Sequence, residues 1–85
     1  MNSSDLFRLI GKNIQSLRTE FKIGTQEKLA EDLDLSWSFI SQLESPGVDK
    51  GVSLETLFLI SQHYNIDIRR FFDNYEDLMD KENQN

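Results

Sequence analysis

The chain has 85 residues and a mass of 9.9 kDa, with no cysteine, one proline, four glycines and a formal net charge of −6. That is one domain near the lower size limit for folding on an apolar core alone, and the missing cysteine excludes disulfides and thiolate metal sites. The opening MNSSDLF does not read as a signal peptide and no stretch approaches the roughly 20 apolar residues of a membrane span, so a soluble, cytoplasmic protein is expected.

The acid is unevenly spread. Residues 1–24 set Arg8, Lys12, Arg18 and Lys22 against Asp5 and Glu20, a surplus of two positive charges. Residues 25–45 set Lys28 alone against Glu27, Glu31, Asp32, Asp34 and Glu44, and residues 73–85 carry a similar excess of acid.

In chain order, Leu6, Ile10, Ile14, Leu17 and Phe21 form an apolar stripe at helical spacing, which predicts a first helix from about Ser4 to Lys22. Ser3 or Ser4 would cap it and Gly24 would end it. Thr25 is the next N-cap, for a helix from Gln26 to Leu33 that buries Leu29, Ala30 and Leu33. Asp34-Leu35 makes a very short link, with Asp34 suited to a positive φ. Ser36 caps a third helix running through Glu44; Ile40 and Leu43 define its buried face, leaving Trp37 exposed and Phe39 partly buried. Residues 45–52, with Pro46, Gly47 and Gly51, read as a loop. Ser53 caps a fourth helix with Leu54, Leu57, Ile60, Ser61 and Tyr64 on one face, ended by Asn65 in a left-handed conformation. Asp67 caps a fifth with Ile68, Phe71 and Phe72. Tyr75, Leu78 and Met79 continue a helical spacing, and the final KENQN reads as frayed. The organisation expected is a domain over 1–72 with a short acidic extension over 73–85.

Five short helices with the second and third as a tight pair suit a helix-turn-helix. The segments IGKNIQSLR, TQEKLAEDL, SFISQLE, SLETLFLIS and NIDIRRFF, in this order over residues 10–72, together resemble the phage repressor/Cro-like (XRE) helix-turn-helix family. The resemblance implies an all-α, five-helix, lambda-repressor-like DNA-binding domain of Cro/C1 type. The chain departs from the family pattern in four places. The link before Thr25 is longer, the loop over 45–52 is longer, Asp34 stands where glycine is usual, and the third helix lacks the cations many members place there.

By position, the resemblance makes Ser36, Trp37, Ser38, Ser41 and Gln42 the residues that read base edges in the major groove. Thr25, Gln26, Lys28, Lys50 and Lys12 become candidates for phosphate, with simple solvation the plainer role for the lysines. It also implies a partly buried ion pair between Arg18 and Glu44. Phe58, Leu59, Ile66, Ile68, Phe72, Tyr75 and Leu78 are more apolar surface than five helices easily hide. A cluster of that kind marks an interface, so a homodimer is expected through the last two helices. His63 is the only histidine, which leaves no transition-metal set. No nucleophilic triad, phosphate-cradling glycine loop or paired carboxylates appear, so an enzyme and a cofactor are not expected. The expected function is a dimeric, sequence-specific transcription regulator, a repressor, on double-stranded DNA. The alternative is a protein-interaction module on the same fold, such as an antitoxin or accessory regulator, which the acid of residues 25–45 favours.

Overall fold

The computed structural model describes residues 2–45 and 51–83. Among them the chain is all-helical: α1 (Ser3–Glu20), α2 (Gln26–Leu33), α3 (Trp37–Glu44), α4 (Leu54–Tyr64), a 3₁₀ helix (Ile68–Phe72) and α5 (Tyr75–Asn83).

The start of α1 differs from expectation. Asn2, not a serine, is its N-cap: Asn2 Oδ1 accepts the Asp5 N–H at 3.0 Å while Asp5 Oδ2 accepts the Asn2 N–H at 3.4 Å. This reciprocal capping box satisfies two otherwise orphaned donors. Thr25, Ser36 and Ser53 cap α2, α3 and α4 in the same sense, each accepting an N–H three residues on.

Helix α1 also ends earlier than expected. Lys22 takes φ 56° and the Ile23 N–H donates to the Arg18 carbonyl at 2.9 Å. A left-handed residue followed by a bond reaching five positions back is the Schellman closure, which turns the next side chain inward. Ile23 is accordingly buried, and Phe21, expected on the buried stripe, is 38% exposed. The same closure ends α2 at Asp34 and α4 at Asn65, both at φ 55°. Leu35 then donates to Ala30 at 2.8 Å and Ile66 to Ser61 at 2.9 Å.

The expected fifth helix, Ile68–Phe72, is a 3₁₀ helix, and the helical spacing that follows it forms a separate helix, α5. Asn13 on α1 is only 5% exposed, and its Nδ2 donates to the carbonyls of Phe71 at 2.8 Å and Asp73 at 2.9 Å. Those bonds hold the chain in a 3₁₀ turn that drives Phe71 wholly into the core. Asn74, at φ 68°, then redirects it into α5, which lies against α1. Residues 81–83 continue α5 as helix, and the rest of the expected frayed end lies outside the described residues.

The core joins Ile10, Ile14 and Leu17 of α1 to Leu29 and Ala30 of α2, Ile40 and Leu43 of α3, Leu57 and Ile60 of α4, with Ile23, Ile66 and Phe71. Packing of α3 on α1 leaves no room at Gly11. A Cβ there would lie 2.0 Å from the Leu43 carbonyl oxygen, well inside van der Waals contact. Leu54, expected on the buried face of α4, is 67% exposed, because the first residue of that helix projects beyond the core. Among the described residues, no helix is long and apolar enough to cross a membrane.

Candidate nucleic-acid interface

The two short helices α2 and α3 pack on each other through a turn of three residues, Asp34, Leu35 and Ser36. Ser36 holds the start of α3 by accepting the Phe39 N–H at Oγ, 3.1 Å away. Ile40 and Leu43 bury one face of α3 while Phe39 is half-buried. Residues 37 and 41, and 38 and 42, are neighbours at i,i+4 on the opposite side. There Trp37 is 51% exposed, Ser38 and Gln42 are exposed, and Ser41 is half-buried. Four of the five residues expected to read bases thus share the side of α3 turned from the core, and Ser36 is exposed at its N-cap.

The last turn of α3 is anchored by a buried network. Arg18 Nε donates to Glu44 Oε2 at 2.8 Å and Arg18 Nη2 to Glu44 Oε1 at 2.7 Å. Their side chains are 14% and 2% exposed. Arg18 Nη1 donates to the Gly24 carbonyl at 2.7 Å, so one guanidinium ties together the end of α1, the approach to α2 and the end of α3. The hydrogen bonds to Glu44 raise the Arg18 pKa above its ordinary value.

The phosphate candidates lie in different surroundings. Gln26 Nε2 donates to Glu44 Oε1 at 3.0 Å, so its amide group helps hold the end of α3 while its second N–H and its oxygen stay available. Lys28 is bound by Asp32 four residues on. The Asp32 carboxyl is drawn below its usual range by Lys28 and then by Tyr64, whose hydroxyl donates to Asp32 Oδ2 at 2.7 Å. Burial, and then Asp32, push the Tyr64 hydroxyl up. This chain of contacts fastens α2 to α4. Thr25 is exposed, and its Oγ1 accepts the Lys28 N–H at 3.1 Å. Lys12 lines a cleft of about 220 Å³ with Asp5, Arg8, Leu9 and Leu78, on the side of α1 that meets α5. Lys50 lies outside the described residues.

The expected dimer surface divides. Phe58 and Leu59 are 52% and 43% exposed, and Tyr75 is exposed as well. Ile66 is a correction: it is 4% exposed, buried by the closure of α4, and belongs to the core. Ile68 and Phe72 are half-buried and packed on the core, and Leu78 is half-buried beside α1. Sequence reading missed Leu54, whose spacing from Phe58 completes an apolar strip on α4. His63 is exposed, its ring edge-on to Tyr64 at 4.7 Å. Among the described residues no group of three or more His, Asp or Glu is placed to hold a metal.

Compared with known proteins, the chain matches no protein-family model, no curated protein and no solved structure.

Proposed function

We propose that the protein is a sequence-specific, DNA-binding transcription regulator, a repressor, of the Cro/phage-repressor type. In this reading α2 and α3 form a helix-turn-helix, and α3 enters the major groove. The observation that carries it is the outward surface of α3. Trp37, Ser38 and Gln42 are presented to solvent, while a buried ion pair anchors the last residue of the helix. Hydroxyl, carboxamide and indole groups on a fixed helix are the chemistry that reads base edges. Thr25 and the first amides of α2 would face a phosphate. The strip of Leu54, Phe58 and Leu59 would pair two copies, matching a palindromic operator with half-sites about 34 Å apart.

A second reading is favoured by one observation. Glu27, Glu31 and Asp34 are exposed beside α3, and Lys28 is held by Asp32. Such a surface repels phosphate and suits a basic protein partner. Selection of bound sequences from a random duplex pool, at about physiological salt, separates the two. An enriched palindrome supports the regulator. Folded protein that enriches nothing supports the interaction module.

A further inference from the structure

No lysine or arginine occurs between Lys28 and Lys50. The outward surface of α3 therefore carries no cation of its own. Two cations of the neighbouring helices are already paired, Lys28 with Asp32 and Arg18 with Glu44 and the Gly24 carbonyl. Guanine shows two acceptors in the major groove, and its strongest reader is a forked or multiple cationic donor. This helix has none to offer.

What it offers instead fits the other base pair. The Gln42 carboxamide, exposed one turn along from Ser38, has the donor and acceptor that match adenine N6 and N7. The Trp37 indole is 51% exposed and presents a broad apolar surface to the thymine C5-methyl group, the one apolar feature in the groove. Ser36 is already used as a cap, its oxygen accepting the Phe39 N–H. The acid of α2 weakens any phosphate contribution, so base contacts must carry a larger share of the affinity.

We infer that the half-site read by α3 is built on A·T pairs, with Trp37 packed on a thymine methyl and Gln42 paired to an adenine. Trp37 is then a specificity-determining residue. This rests on the regulator reading above.

The test begins with the enriched operator from the selection. Each thymine in a half-site is replaced in turn by uracil, which removes only the methyl group. At one position the wild-type protein should lose about fourfold in affinity, the worth of one buried methyl-sized group. Trp37→Ala should bind thymine and uracil there equally, and Gln42→Ala should keep the thymine preference while losing adenine at its own position. Trp37 is half exposed, so circular dichroism should show Trp37→Ala folded. An enriched operator with a G·C core under α3 overturns the inference and leaves the regulator reading standing. So does a thymine preference that survives Trp37→Ala. No enrichment of any duplex overturns the inference together with the reading beneath it.

Discussion

Lys22, Asp34 and Asn65 each hold a positive φ at the end of a helix, and each precedes an apolar residue turned inward: Ile23, Leu35 and Ile66. Aspartate and asparagine tolerate that conformation because their short polar side chains bond locally, whereas lysine pays roughly 1–2 kcal/mol for it. Glycine would remove the cost but would loosen the unfolded chain by about 0.4–1 kcal/mol. Lys22→Gly is therefore expected to stabilise the fold by about 0.5–1 kcal/mol net, read as a rise of a few degrees in the thermal midpoint. Asp34→Gly should change it much less. An unchanged or lower midpoint for Lys22→Gly would remove the strain assigned to that residue. Asp34 and Asn65 were legible in the sequence as left-handed positions. Lys22 was not, because Gly24 stands two residues later and lysine has no local signature for such a turn.

At the scale of elements, two contacts decide where α3 sits. The first is the approach of α1 to the end of α3 at Gly11, where any Cβ meets a backbone oxygen that cannot swing aside. Gly11→Ala is expected to destabilise by several kcal/mol, in the range of severe core overpacking, despite the helix propensity that alanine adds. The measurement is urea unfolding, and a midpoint equal to wild type would contradict the packing described. The second is the buried pair of Arg18 with Glu44. Glu44→Ala strands a guanidinium that is 14% exposed, at an expected cost of about 3–5 kcal/mol, whereas replacing both partners by apolar residues should cost far less. The contrast between the single and the double variant is the informative quantity. Equal losses would mean that the pair matters through packing and not through charge. The pair was expected from the resemblance of the chain to a family. The close approach at Gly11 was not, since a glycine inside a helical stripe gives no hint of which backbone passes it.

For the whole molecule, the apolar strip on α4 and the distribution of carboxylates set the expectations. Leu54, Phe58 and Leu59 are exposed together on α4, and burying them between two copies is the simplest way to remove them from water. Sedimentation equilibrium should give a dimer for the wild type and a monomer for Phe58→Glu combined with Leu59→Glu. A wild-type monomer would remove the dimer from the proposal. Acid stability follows from the carboxylates. The side chain and amide of Arg69 hold Asp67 down to about 2, while Lys28 and Tyr64 lower Asp32, and Arg70 lowers Glu20. Each folded-state value lies below its unfolded one, so each contribution is complete above about pH 4–4.5. It is lost as pH falls through the folded value. The thermal midpoint should hold steady from neutral pH to about 4.5 and then fall toward pH 2. Asp32→Asn, which has no charge to lose at that position, should show a shallower fall.

The bounds of α2, α3 and α4, their caps at Thr25, Ser36 and Ser53, and the exposure of Trp37 follow from local rules, and the sequence by itself determined them. Neighbouring residues set a cap, and helical spacing sets a face. The tertiary structure alone decided the rest. Asn13 fixes the 3₁₀ turn before α5 by donating to carbonyls 58 and 60 positions away, at Phe71 and Asp73. Gln26 also braces Glu44, and Ile66 leaves the surface for the core. In each case the deciding partner is distant in sequence, or its direction depends on a backbone closure. Periodicity does not encode such partners; they emerge only when the helices pack and every buried donor and acceptor must find a mate.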